Sequence, residues 1–446
     1  MVLFTRAVAR DFRVLFGRCA AGRPRGPAPP VVIRVRDGTK AIAATTPDGV
    51  TLTHTSPAPG ESDNLAVLPA SVLAEVEGGT DEGVILDRQS RLRGVVKWHG
   101  GAQPRTLPVE LIISGEQYEL PAMPSLTSSS ARLLTALHEC GRAAAREGGR
   151  YALSKVQLQG KSGRVVGTDG KVALLWNGFS FPFADDLLVP ALPVFGAKPL
   201  SRVTEVKLGR TATHLIVGVG LWSVWLPVDG KAKFPDVAAV VPRHTPATAE
   251  VDESDAAQLL PALPGLPGGD QELRPVTLEA DGVVRVRGRG EGGEQAGQSK
   301  EVTLARSTTS GPAVRVVLDR RVLARALSLG CRTLRLTPEK PVVFECADHT
   351  LVAAQLDPAL AAPPAARPTH HLERRTPVKP ETNGHTPPRG DPADPLELAE
   401  EMRAAVADAA GIAARLVAAL RQGKKEKKVL SAVLTNLKQL SLGGSS

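Results

Sequence analysis

The strongest constraint on this chain is a threefold recurrence of the same local signals about 120 residues apart, a spacing too long for a solenoid and suited to tandem domains. A short hairpin with a Gly-bearing turn is written at Asp37–Ala44, again at Ser162–Gly167, and again at Asp281–Val286. A helix start led by Pro or Asp follows a strand at Leu68–Leu73, Val189–Val194 and Leu318–Leu323. Strand-like runs come after each: Gly83–Leu86, then Thr204–Leu208 with His214–Val219, then Thr333–Leu336 with Val342–Cys346. Prolines between 121 and 124 punctuate the first boundary, and the stretch 242–248 the second. The pattern predicts three tandem α+β domains at 1–123, 124–246 and 247–358.

A chain of 446 residues exceeds one ordinary core. Aromatics make up 3% against 42% hydrophobic residues, so the cores must be built from Val, Leu, Ala and Ile, as many short strands require. A formal charge of +9 favours a polyanionic partner, either nucleic acid or an acidic membrane surface. Cys19, Cys140, Cys331 and Cys346 are scattered without a C-x-x-C pair, which argues against a zinc site or a disulfide framework and for a cytoplasmic setting. No apolar run reaches the ~18 residues of a membrane-spanning helix.

The Arg-rich N-terminus has the composition of a transit peptide. Its spacing instead predicts a structural helix, with Val8, Phe12, Leu15 and Phe16 on one face and Arg6, Arg10 and Arg13 on another. Gly288, Gly290 and Gly293 fit G-x-G-x-x-G after a strand, but the chain returns to a strand at Glu301–Leu304, which predicts a hairpin tip rather than a dinucleotide site. Asp185 and Asp186 read as a solvated turn, and His370 and His371 as linker. No catalytic residue, metal ligand set or cofactor is expected.

Arg150 to Leu175 reads as a β-meander, with alternating Val156, Leu158 and Val165 about a turn at Gly160–Gly163 and a second turn at Asp169-Gly170. The succession R-Y-x-L-x-x-V, then G-x-V-x-x-T-D-G-x-x-x-L, then K-F-P-D-x-x-x-V-x-P at Lys233–Pro242 resembles the middle domain of the bacterial DNA polymerase III beta sliding clamp. Order and spacing agree over residues 1 to 358. The resemblance implies a ring-forming, processivity-fold subunit that closes head to tail as a homodimer around double-stranded DNA. Such a ring tethers DNA polymerase III, meets the clamp loader, and has no chemistry and no membrane partner of its own.

The resemblance also implies DNA-facing helices, carrying Arg6, Arg10, Arg13, Arg142, Arg146, Arg320, Arg321 and Arg325, with Arg23, Arg150 and Tyr151 beside them. It implies a pocket for a short partner peptide at Leu153, Thr168, Gly170, Lys171, Val172, Ala173, Pro235, Ala239, Val240, Leu351, Val352, Ala353, Ala354 and Gln355. Several positions depart from the family pattern. The usual T-D-G-H-R-L is Thr168-Asp169-Gly170-Lys171-Val172-Ala173, Ala239 replaces a basic residue, and Ala191-Leu192 replaces the basic pair after Val-Pro. The alternative is a diverged clamp paralogue acting as an interaction scaffold; a nucleotide-dependent enzyme rests only on the glycine pattern.

Residues 359–395 are rich in Pro, Ala, Thr and Arg and read as a disordered linker. Residues 396–446 predict a helical hairpin, with Leu398, Met402, Ala405, Ala409, Ile412 and Leu416 on one stripe, a break at Gly423, and then Val429, Val433, Leu437 and Leu440. Gln439–Leu442 spells Q-L-S-L, similar to the start of the Q-L-S/D-L-F peptide that clamp partners use. It either finishes the last helix or forms a tail that competes for the pocket.

Overall fold

One run of elements is laid down three times: strand, helix, three-stranded meander, strand, helix, three-stranded meander. The computed structural model describes residues 2–363 apart from 21, 23–25, 102, 114, 116, 117, 147–150, 270 and 291–298. The first repeat comprises β1 (Val2–Thr5), α1 (Arg6–Phe16), β2 (Val31–Arg36), β3 (Thr39–Thr45), β4 (Thr51–Pro57), β5 (Asn64–Leu68), α2 (Ser71–Val76), β6 (Gly83–Arg88), β7 (Arg93–Gly100) and β8 (Gln103–Glu110). The second comprises β9 (Thr127–Ser129), α3 (Arg132–Ala143), β10 (Lys155–Gln159), β11 (Arg164–Thr168), β12 (Val172–Trp176), β13 (Leu187–Pro190), α4 (Lys198–Ser201), β14 (Val206–Arg210), β15 (His214–Val219) and β16 (Trp222–Pro227). The third comprises β17 (Ala247–Glu250), α5 (Glu253–Ala262), β18 (Pro275–Ala280), β19 (Val284–Arg289), β20 (Ser299–Leu304), an added β21 (Thr308–Ser310), β22 (Val314–Asp319), α6 (Arg320–Ser328), β23 (Thr333–Leu336), β24 (Val342–Glu345) and β25 (His349–Ala353).

Each repeat builds two half-sheets. The first meander takes up the strand that follows it, in the orders β5-β2-β3-β4, β13-β10-β11-β12 and β22-β18-β19-β20. The second meander takes up the strand that opens the repeat, in the orders β1-β6-β7-β8, β9-β14-β15-β16 and β17-β23-β24-β25. Half-sheets then fuse between repeats. β4 pairs antiparallel with β16 to make an 8-stranded sheet, and β12 pairs with β25 to make a 9-stranded one, with β21 added beside β17. Among the described residues, β8 and β20 are the meander-end strands left without a partner from another repeat.

Helices cover one face of these sheets, and Phe12, Ile33, Leu133, Leu158 and Phe344 lie in the shared core between them. The N-terminal segment is a folded helix as its spacing predicts: Thr5 Oγ1 accepts from Val8 N–H at 3.3 Å, and Phe12 and Leu15 are buried. Asp252 and Asp319 cap α5 and α6 in the same way. The middle repeat differs after β13, where a 3-10 turn (Pro193–Gly196) and the single turn of α4 replace a full helix. Pro193 and Pro199 lack the N–H that a longer helix needs. Gly167 lets α3 sit directly on β11, because a Cβ there would lie 2.0 Å from the Cys140 carbonyl oxygen. Cys19, Cys140 and Cys331 are buried and all four cysteines are free; burial pushes the Cys19 and Cys331 thiols up to about 12, so they stay protonated.

The glycine pattern lies in the β19–β20 hairpin, whose strands pair directly, with no helix between them among the described residues. Gly293 lies outside the described residues, as do Arg23 and Arg150. The chain at 359–362 belongs to the folded part rather than to the expected linker: a 3-10 turn spans Pro358–Leu360, and Ala362 N–H donates to Thr277 Oγ1 at 2.7 Å. The rest of the linker, His370, His371, the helical extension and Gln439–Leu442 fall outside the described residues. No described helix is long and apolar enough to cross a membrane.

Candidate nucleic-acid and partner interfaces

The helices of successive repeats abut. Arg325 on α6 donates to the Glu139 carbonyl oxygen at 2.6 Å and to its Oε2 at 3.2 Å, clasping α3 across the junction of the third and second repeats. Arg18, just past α1, donates to the Gly196 carbonyl oxygen at 3.5 Å across the junction of the first and second. The result is one layer of helices running over all three repeats, with exposed arginines on it.

The predicted DNA-facing residues divide by how each guanidinium is held. Arg10, Arg13, Arg142 and Arg321 are exposed and pair with Asp11, Glu77, Glu139 and Asp319 respectively. The Arg10 and Arg13 pairs are largely exposed and worth about 0–1 kcal/mol, so a phosphate can displace the carboxylate at little cost. Glu139 is itself buried and shared with Arg325, and Asp319 is mostly buried, so Arg142 and Arg321 are exposed only on the guanidinium side. Arg146 is exposed beside a cavity of about 600 Å³ that it shares with Lys155 and Lys231. There Asp229 is tied to Lys155 at 2.6 Å, and the hydrogen bond from Lys155, with those from two backbone N–H groups, brings its carboxyl down to about 2. Tyr151 is 42% exposed.

Three arginines expected at the interface are instead internal braces. Arg320 is 4% exposed and donates to the carbonyls of Leu263, Leu266, Pro267, Arg274 and Pro275. Arg6 binds the carbonyls of Val76, Glu77 and His99, fastening α1 to α2 and β7. Arg325 is committed to Glu139, and burial holds its pKa below the usual value.

Much of the residue set predicted for a peptide pocket lies where β12 meets β25. Asp169 Oδ1 accepts from the N–H groups of Lys171 and Val172 at 2.8 and 2.7 Å, and Thr168 Oγ1 donates to the Val172 carbonyl at 2.7 Å. Gly170 sits at φ 90°, a conformation that favours glycine. The turn is tied to the end of β25 by Ala354 N–H donating to Lys171 O at 2.8 Å, and Gln355 Nε2 binds the Thr337 and Lys340 carbonyls. Leu153 lies under Gly170 and Val240 is 55% exposed.

Strand alternation then splits the set. Leu351 and Ala353 are fully buried in the main core with Val172 packed against it, so they support the surface from beneath. Ala173 and Val352 belong to a second small core on the other face, with Val166, Leu175, Val237 and Val343, against which Phe234 and Val241 pack. Through this core the K-F-P-D segment carrying Pro235, Ala239 and Val240 is held onto the sheet. Phe234 and Val237 are its anchors, and the predicted set did not include them although Phe234 is a letter of the motif and Val237 lies within its span. Beside them a cavity of about 430 Å³ is lined by Arg164, Arg243, Arg335 and Glu345.

This arrangement of half-sheets and helices matches solved structures. The DNA polymerase III subunit beta from Pseudomonas aeruginosa aligns with a TM-score of 0.64 at 17% identity, over 79% of this chain and 98% of that one. A DNA polymerase sliding clamp from the same organism, with ligand, aligns at 0.65 and 16% over the same shares, and a sliding clamp from it bound to griselimycin at 0.63 and 16%. The fold is that of a sliding clamp. No protein-family model and no curated protein matches the chain.

The remaining clusters on this clamp fold have structural explanations. Cys346, Asp348 and His349 bring ligand-type atoms within 4.8 Å of one another. The Asp348 carboxylate is already held by Arg132 and by His349 Nδ1, each at 2.6 Å, and His349 stacks on Trp176. Asp185 pairs with Arg210, and Asp186 accepts from Gly160 N–H at 3.2 Å, so this pair staples a loop as a turn would.

Proposed function

We propose that the chain is a non-catalytic DNA sliding clamp: two copies close head to tail around duplex DNA and tether a DNA polymerase and other replication or repair proteins through the surface at β12 and β25. The observation that carries this reading is the pair of complementary edges. Within the chain, the last strand of a first meander pairs twice with the last strand of a second meander, β4 with β16 and β12 with β25. The same rule leaves β20 and β8 for each other, and one chain's β20 can meet only another chain's β8 once the first two junctions are made. Exposed Arg10, Arg13, Arg142, Arg146 and Arg321 on the helix layer would contact phosphate without reading bases, as sliding requires.

Retention on nicked circular DNA at high salt, followed by linearisation, tests the topology. A clamp is released by linearisation, whereas a protein bound along the duplex is not. A second reading, a diverged clamp that serves as a scaffold, is favoured by the commitment of Arg6, Arg320 and Arg325 to the protein itself. A polymerase processivity assay separates the two.

A further inference from the structure

We propose that Pro104 makes β8 a weak seam, against which β20 of a second copy docks with a central backbone hydrogen bond missing, so that the dimer is held less tightly than an N–H donor at this position would hold it. This rests on the ring reading above.

The second meanders of the three repeats end in hairpins with the same two-residue loop: Gly100 pairs with Gln103, Val219 with Trp222, and Cys346 N–H donates to the His349 carbonyl. Aligned on that loop, Pro104 corresponds to Ser223 and Thr350, and Pro108 to Pro227 and Ala354. On β16 and β25 the first of these positions gives its N–H to the neighbouring repeat. Thr55 N–H donates to Leu221 O at 2.8 Å, and alternation along an antiparallel ladder then makes Ser223 and Thr53 a bonded pair. Ala354 N–H donates to Lys171 O at 2.8 Å, which makes Thr350 and Leu175 one too.

β8 has the same phase. Leu111 N–H donates to Leu92 O at 2.8 Å, so the odd-numbered residues of β8 bond to β7 while Pro104, Thr106, Pro108 and Glu110 face the open side. Where both built junctions have an N–H, this edge has a pyrrolidine ring. Pro108 removes a second donor, at the end of the seam rather than its centre: its counterpart Ala354 donates across the β12–β25 junction, while Pro227 sits beyond the end of the β4 ladder. The opposing edge has no such gap. Arg320 N–H donates to Arg274 O, which sets the phase of β18 and places Ser299, Glu301 and Thr303 of β20 outward, each with its donor. Proline on an edge strand blunts pairing; on an edge that must pair to close a ring, it leaves a seam that forms and parts easily.

The test is the dimerisation constant of the full chain, from sedimentation velocity over a concentration series, for wild type, Pro104→Ser and Thr106→Pro, with circular dichroism to confirm that each is folded. Restoring one central N–H should tighten the dimer about fivefold to tenfold, and Thr106→Pro should weaken it by a similar factor or more. Pro104→Ser dimerising no more tightly than wild type, while Thr106→Pro weakens the dimer, overturns the weak seam and leaves the ring reading standing. A dimer unaffected by either substitution, or no dimer from Pro104→Ser at about 100 μM, overturns the ring reading and this inference with it.

Discussion

Acidification should loosen the junction between the first and second repeats through His54. This residue lies on β4 opposite Trp222 of β16, is 6% exposed, and has its ring 4.5 Å from the Trp222 ring. Its Nδ1 has no hydrogen-bond partner among the described residues, and burial lowers its pKa from 6.5 to about 4. The unfolded chain therefore binds a proton between those values while the folded chain does not, so stability is full above 6.5 and falls as pH drops toward 4. Integrating the linkage between pH 7 and pH 5 gives a loss of about 2 kcal/mol from this one imidazole, a shift of roughly 0.5 M in a urea midpoint. His138 is also held below its usual value by burial, so the His54 contribution must be read by difference. His54→Phe keeps a planar ring and removes the titration. Urea midpoints of wild type and variant should agree within a small offset at pH 7 and diverge by that amount at pH 5, and the His54 imidazole should titrate near 4 by NMR. Parallel pH profiles for the two proteins, or titration near 6.5, would refute the reasoning.

Replacing Arg10, Arg13, Arg142 and Arg146 together with Ala should lower the slope of log affinity for duplex DNA against log salt by about 2 to 4 units, near one for each phosphate that is no longer neutralised. Arg320→Ala should leave that slope unchanged while costing about 3 kcal/mol or more of stability, because several buried carbonyls lose their donor; a changed slope on Arg320→Ala would mean that the residue reaches DNA. Gly167→Ala should destabilise by about 1 to 3 kcal/mol in urea unfolding because its Cβ meets the backbone of α3. Gly230→Ala, with open space around it, should stay within about 0.5 kcal/mol of wild type, and equal effects at the two sites would contradict the close approach of helix and strand.

What the sequence made legible follows from physical range. The threefold hairpins at Asp37, Ser162 and Asp281 are β2–β3, β10–β11 and β18–β19, since local alternation and turn glycines act within a few residues. The amphipathic α1 was readable for the same reason. The roles of the arginines were not, because a long side chain finds its partner in space: Arg325 meets Glu139 from 186 positions away, and Arg320 meets carbonyls some 45 to 57 positions upstream. The candidate peptide surface was half legible. Its motif located the turn between β11 and β12, but the residues implied by resemblance ignored the period of two that sends Leu351 and Ala353 into the main core and Val352 to the other face. The weak edge had a signal too, Pro104 and Pro108 in one strand-like run, whose meaning appears only when the phase of β8 against β7 is known.

The central claim is that β8 of one copy meets β20 of another, and backbone amide exchange at concentrations either side of dimerisation tests it directly. Raising the concentration should slow exchange at Thr106 and Glu110 on β8 and at Ser299, Glu301 and Thr303 on β20, with the β4–β16 and β12–β25 amides protected equally at both. Formation of a dimer with those five amides unchanged, or with new protection on another surface, would contradict it.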